Sequence, residues 1–167
     1  GGESGSNSII FIGKLSGNYL LGTPAGFYLY DFSAGRPVSF TALANKTGQK
    51  LADSYFIDND ENLWIGTQGA GLFVRRKTGE IRQFYRSGDS GSDYISNIAA
   101  DDNNIWLATL NGVRIISKTT GSLKESYDIN NGLPPKGINQ ILMQEDGSGY
   151  IATESDRLYR IIPGSGV

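Results

Sequence analysis

Apolar and polar positions alternate in blocks along this chain, and residues 95–127 show the pattern most openly. ISNIAA (95–100), IWLAT (105–109) and VRIIS (113–117) are short apolar runs, while DDNN (101–104), LNG (110–112) and KTTG (118–121) interrupt them. SLKESY (122–127) closes the block and is more polar. Runs this short, rich in branched residues and bounded by turn-formers, predict four strands with the last outermost. Asp and Asn suit the turns because they tolerate positive φ. Nearly continuous apolar character in the middle strands predicts sheets covered on both faces. No segment sustains a 3.6-residue period between caps, so almost no helix is expected.

The block recurs. YLLGTPAGFYLY holds Thr23, DENLWIGTQGAGLFV (60–74) holds Thr67, NIWLATLNGVRI holds Thr109 and GYIATESDRLYR holds Thr153, at spacings of 44, 42 and 44 residues. Three residues before each Thr stands Leu20, Trp64, Trp106 or Tyr150. Gly26-Phe27, Gly71-Leu72 and Gly112-Val113 follow the first three, whereas the fourth has Arg157-Leu158. Gly35, Gly79 and Gly121 each lie 12 residues past their Thr and mark a later turn. A repeat of about 40–45 residues built from short strands predicts an all-β fold of β-propeller blades, each of four antiparallel strands. The expected boundaries are a linker or cloning remnant over 1–8, then blades over 9–50, 51–94, 95–137 and 138–167.

Repetition decides how the shared residues are read. A residue present once per blade suits packing, whereas a binding residue need occur only once. Thr23, Thr67, Thr109 and Thr153 are therefore expected to be structural, with hydroxyls bonding backbone where the chain turns. Trp64, Trp106 and Tyr150 are expected to wedge between adjacent blades.

Composition narrows the function classes. The 167 residues are 38% hydrophobic, enough for a globular core, and carry a net charge of −2 with no basic stripe. A nucleic-acid partner is therefore not expected. No apolar stretch approaches the length of a membrane span, so no membrane insertion by this region is expected. There is no Cys and no His. Absence of His removes Ser-His-Asp and Cys-His nucleophiles, His metal ligands and a phospho-accepting His.

DSYFIDNDENLWIGTQGAGL (53–72) and NGLPPKGINQILMQEDGSGYIAT (131–153) resemble the two-component regulator propeller repeats, with a GLP lead-in, an acidic turn and a W-I-G-T-x-x-G-L core. The resemblance covers residues 9–162 and weakens where Leu20 or Tyr150 replaces Trp, where Arg157 replaces Gly, and at GKLSGN (13–18), which lacks the acidic turn. It implies an arc of a propeller of about seven blades. It also implies a place in the extracytoplasmic sensor region of a bacterial signalling protein, with a carbohydrate fragment as ligand. The family carries no fixed catalytic or ligand residues, so none is transferred.

Candidate chemistry is sparse. GTQGAG (66–71) mimics a phosphate loop but is expected to join strand to strand, without the helix that presents amides to phosphate. DNDEN (58–62) and DDNN (101–104) offer carboxylates to calcium, yet they recur at one repeat position and lack the 12-residue loop pattern, so they are read as solvated hairpin turns. Glycoside hydrolysis would need carboxylates such as Asp89, Asp93, Glu154 and Asp156 to converge from different blades. No metal, cofactor or catalytic residue is expected.

Ligand binding is expected on one end of the ring, where the turns after each Thr (68–71, 110–112, 154–157) meet the interblade loops (86–94, 128–137). The unrepeated candidates are Gln68, Asp93, Tyr94, Asn111, Asn130, Lys136, Glu154, Asp156 and Arg157, groups that suit sugar hydroxyls. NNGLPP (130–135) reads as a rigid turn entering the next blade. The favoured expectation is a non-catalytic, extracytoplasmic, ligand-sensing propeller. The alternatives are a protein-interaction scaffold and a propeller hydrolase or lyase. Phe40 and Phe84 lie 17 residues past their Thr and Tyr127 lies 18 past Thr109, but Val167 ends the chain 14 past Thr153, so the fourth blade is expected to lack its outer strand. Further blades of a parent chain, or a second copy as a homodimer, are the expected partners of the open arc.

Overall fold

Each repeat unit folds as one antiparallel sheet. The computed structural model describes residues 9, 11–15, 17–23, 26–40, 45–46, 52–135, 137–155 and 157–167. The first sheet is β1 (Phe11–Leu15), β2 (Asn18–Thr23), β3 (Gly26–Asp31) and β4 (Arg36–Ser39). The second is β5 (Ala52–Ile57), β6 (Leu63–Thr67), β7 (Leu72–Arg75) and β8 (Ile81–Tyr85). β9 (Ile95–Ala100), β10 (Asn104–Thr109), β11 (Gly112–Ser117) and β12 (Leu123–Tyr127) form the third. The fourth has three strands among the described residues, β13 (Ile138–Met143), β14 (Gly149–Thr153) and β15 (Leu158–Ile161). In every sheet the strands lie side by side in chain order, the meander expected of a propeller blade. A 3₁₀ turn, Ile129–Asn131, capped by the Asp128 side chain, leads from the third sheet toward the fourth.

The core lies between the sheets. One buried cluster joins Leu15 and Leu20 of the first sheet to Leu63, Ile65 and Phe73 of the second. A second joins Trp64, Leu72 and Val74 to Ile95, Ile98, Ile105, Leu107 and Ile116 of the third. The last joins Trp106, Val113 and Ile115 to Ile138, Ile141, Ile151 and Ile161 of the fourth. Both indoles are fully buried in these seams, so each is the wedge between its own sheet and the next. Tyr150 behaves differently: it is half-buried, with the Arg160 guanidinium 5.7 Å from its ring centroid.

The acidic turns correct the expectation of solvated hairpins. Asp58 is only 6% exposed. Its carboxylate accepts the Asn62 amide N–H at 2.9 Å, the Asn62 side-chain Nδ2 at 3.0 Å and the Trp64 indole Nε1 at 2.9 Å. Lys118 of the third sheet reaches the same carboxylate at 3.6 Å. Asp101 repeats the device, accepting from Asn104 Nδ2 and, at 3.2 Å, from Trp106 Nε1. A wedged indole still carries an N–H, and burial without an acceptor is costly. The turn Asp supplies that acceptor, so these oxygens are occupied by N–H donors. Burial pushes both carboxyls up, but the bonds from Asn62 and Trp64, and from Asn104 and its neighbours, outweigh it and hold them below the usual carboxylate range.

The recurrent Thr closes the next turn. Thr23, Thr67 and Thr109 donate Oγ1–H to the carbonyls of Gly26, Gly71 and Gly112 at 3.1, 2.8 and 2.8 Å. Thr153 instead pairs with the Ser155 hydroxyl at 2.6 Å. Gly71 and Gly112 are required twice over. Their φ values are +79° and +104°, and a Cβ there would stand 2.4 Å from the Tyr85 carbonyl oxygen and 2.1 Å from that of Tyr127. Both carbonyls belong to outermost strands. The fourth sheet shows no such strand among the described residues, and Arg157 stands where the Gly would be.

Candidate functional site

The two loop families expected to share one end do meet there. The loop over residues 86–94 is stitched to the turns on both sides of it. The amides of Gly69 and Gly71 donate to the Asp93 carbonyl at 3.1 and 3.0 Å, and the Leu110 amide donates to the Gly91 carbonyl at 3.2 Å. One blade on, the Glu154 amide reaches the Gly137 carbonyl at 3.4 Å.

Asp93 builds this loop from within. It is 1% exposed, and its carboxylate accepts the Ser87 amide at 2.7 Å, the Ser87 hydroxyl at 3.0 Å and the Gly88 amide at 3.2 Å, with Arg86 Nε at 3.4 Å. A carboxylate so engaged positions backbone and does not face solvent. Gln68 and Tyr94 form a backbone bridge to each other and are half-buried, which places them in the scaffold of the same loop.

The other candidates lie nearer an open surface. A groove of about 360 Å³ runs between the turn after β10 and the loop entering the fourth sheet, lined by Leu110, Asn111, Asp128, Ile129, Asn130 and Pro134–Pro135. Leu110 and Ile129 are 51% and 60% exposed, an apolar pair on a polar rim. Asn111 is held in place: its Nδ2 donates to Asp89 at 2.6 Å, and Gly91 leaves the room, since a Cβ there would stand 2.5 Å from that nitrogen. Hydrogen bonds from Ser92 and from Asn111 keep the exposed Asp89 carboxyl below its usual range. Asn130 is fixed by its amide and Nδ2, both donating to Asp128 Oδ1 at 2.9 and 3.0 Å. Neither bond uses the amides' carbonyl oxygens, and the Asp128 carboxylate also lines the groove, so it carries acceptors.

Glu154 borders this groove. Gly137 lies between its carboxylate and the Leu110 side chain, with an added Cβ at 3.7 Å from Glu154 Oε1 and 3.9 Å from Leu110 Cδ2. Arg157 is exposed one residue before β15. Lys136 and Asp156 lie outside the described residues. The structure thus gathers Asn111, Asn130 and Glu154, separates them from Gln68 and Tyr94, and turns Asp93 inward. Leu110, Ile129 and Pro134–Pro135 are the residues the sequence reading missed. The signal was there: LNG (110–112) and DINNGLPP (128–135) each put an apolar residue in an otherwise polar loop.

No family model matches the chain, and no curated protein matches it. Solved structures do share its fold. The extracellular domain of a protein described as the hybrid two-component system BT4673 from B. thetaiotaomicron superposes with a TM-score of 0.72 at 21% identity, over 99% of this chain and 21% of that one. The extracellular domain of the system BT3049 from the same organism gives 0.67 at 19% identity, over 93% of this chain and 20% of that one. The computationally designed Ika4 protein gives 0.67 at 10% identity, over 95% of this chain and 93% of that one. The chain therefore has the β-propeller blade fold, and it spans about a fifth of the length of the two-component extracellular domains it superposes on.

Proposed function

We propose that this chain is a ligand-sensing arc of a propeller exposed outside the cytoplasm, and that its ligand is an oligosaccharide bound in the groove between the third and fourth sheets. The observation that carries the reading is the groove itself. Two side-chain amides are fixed in it by Asp89 and Asp128, beside an exposed apolar strip of Leu110, Ile129 and two prolines. Sugars present hydroxyls at their edges and C–H groups on their faces, and preset amides beside apolar side chains meet both. The likeness to extracellular domains of two-component systems supports a sensory role at that location. The reading is non-catalytic; among the described residues Asp128 caps the 3₁₀ turn and Asp89 holds Asn111, which supports binding over hydrolysis, with Glu154 at the margin.

Calorimetry against a panel of neutral and acidic oligosaccharides tests this. Saturable binding by the wild type, reduced at least tenfold by Ile129→Asp and by Asn111→Ala with unchanged melting, is the expected result. Binding that survives both substitutions would move the site elsewhere, and no binding to any member of the panel would favour a protein-interaction scaffold. Release of cleaved sugar would favour an enzyme.

A further inference from the structure

We propose that the groove between the third and fourth sheets selects a sugar unit that carries a protonated amine and disfavours an anionic one. The inference rests on the oligosaccharide reading above and narrows it to a class of sugar.

The groove's hydrogen-bonding groups are unevenly engaged. Pro134 and Pro135 on its wall have no N–H. Backbone donors beside them are spent inside the protein: Leu110 on the Gly91 carbonyl at 3.2 Å, Asn111 on Thr109 Oγ1 at 3.2 Å, Asp128 on Asn131 Oδ1 at 3.1 Å and Asn130 on Asp128 Oδ1 at 2.9 Å. Both side-chain amides also spend an Nδ2 hydrogen on a carboxylate, Asn111 on Asp89 and Asn130 on Asp128. Their carbonyl oxygens take no part in those bonds. Negative charge surrounds them. Asp128 is half-buried in the wall, Asp89 lies one hydrogen bond behind Asn111, and Glu154 borders the groove. Among the described residues no Lys or Arg pairs with any of these carboxylates.

The second sheet shows the same place with opposite charge. Tyr85 and Tyr127 pair with Leu72 and Val113 at one repeat position, so Arg86 and Asp128 share the next. Arg86 is spent on Asp93, and the Gly69 and Gly71 amides tie that loop down onto the preceding turn. In the third sheet an acid replaces the base, and Leu110 and Ile129 are left exposed on either side of the opening. A feature that differs between blades suits binding better than packing.

An ammonium group brings N–H donors, positive charge and no acceptor. It meets the amide oxygens and the unpaired carboxylates together, while the C–H face of its ring lies on Leu110 and Ile129. A neutral hydroxyl can use the acceptors without the charge. A uronate or sulfate would set acceptor against acceptor and like charge against like.

Calorimetry with equivalently linked trisaccharides of glucosamine, glucose and glucuronic acid tests this, at a pH of about 6, where the amine is protonated. The glucosamine trimer should bind at least about threefold more tightly than the glucose trimer, as a partly exposed ion pair allows, and the acidic trimer most weakly. Salt should narrow the difference. Asp128→Asn keeps a side chain able to cap the 3₁₀ turn but removes the charge. It should bring the glucosamine and glucose trimers toward equal affinity with unchanged melting, whereas a purely structural role for Asp128 would weaken both alike. Equal wild-type binding of these two trimers, or tighter binding of the acidic one, would overturn the charge selection and leave the oligosaccharide reading standing. An amine preference untouched by Asp128→Asn would also overturn it, because the charge would then act elsewhere. No binding of any trimer would overturn this proposal, and the wider oligosaccharide panel then decides separately whether the sugar reading falls with it.

Discussion

Replacing Asp58 by Ala should cost more than the same change at Asp146, although both lie in the turn between the first two strands of their sheets. Asp58 accepts from the buried Asn62 amide and side chain and from the fully buried Trp64 indole, and Lys118 of the next sheet lies against it. Its removal strands at least two buried donors, each costing about 1–3 kcal/mol, so a loss of about 2–5 kcal/mol is expected. Asp146 is exposed and its Arg160 partner can turn to water, so only the buried Ser148 amide and hydroxyl lose an acceptor, where Asp58 also serves a buried indole. Its loss should cost less than that of Asp58. Urea denaturation followed by Trp fluorescence reads both, since one of the two Trp is itself a ligand of Asp58. Acid should expose the Asp58 contribution as well. The Asp58 carboxyl titrates below its usual range when folded, so the unfolded chain binds the proton more readily. The stabilisation is therefore present above the unfolded value of about 4 and is lost as pH falls through the lower folded value. Asp58→Asn should flatten that acid limb. Equal costs at the two positions, or an acid limb unchanged in Asp58→Asn, would refute the reasoning.

Trp64→Ala should destabilise by about 3–5 kcal/mol in the same urea assay, because it empties a fully buried seam. Gly112→Ala should cost about 2 kcal/mol or more, from its positive φ and the Tyr127 carbonyl 2.1 Å from the new Cβ, while Arg157→Gly should change the midpoint little. EDTA should leave the melting temperature unchanged, since N–H donors occupy the acidic-turn oxygens, and a drop of several degrees would show a metal held by the fold.

Much of this architecture was legible because it is periodic. The four Thr and the large apolar or aromatic residue three before each, Leu20, Trp64, Trp106 and Tyr150, mark the repeat, and the strands of the third sheet fall within one residue of the runs read from sequence. The acidic turns were misread because hydropathy treats an Asp in a turn as solvated. The contrary signal was spacing: Asp58, Asn62 and Trp64, and again Asp101, Asn104 and Trp106, put a carboxylate within reach of an indole N–H at the hairpin. The candidate site was legible only as a set of loops. Which polar residues point outward depends on which carboxylates the loops use internally, and Asp93 and Asp89 look alike in sequence. One is buried as the clamp of its loop, and the other stays at the surface holding Asn111.

The departures of the fourth repeat share one physical logic. Leu72 and Val113 are sealed by a following sheet, and Gly71 and Gly112 are pressed by an outermost strand. Where neither neighbour is present among the described residues, the same positions hold Leu158 and Arg157. Tyr150 replaces the indole, Gln144 stands where Asp58 does, and Arg160, at the position of Val74 and Ile115, stacks on the Tyr150 ring and bonds the exposed Asp146. Charge has entered the far side of this face while Leu142, Ala152 and Leu158 keep its centre apolar. Exposed leucines at seam positions thus stand beside an exposed Arg–Asp pair, so this face is apolar at its centre like the internal seams and charged at its edge unlike them.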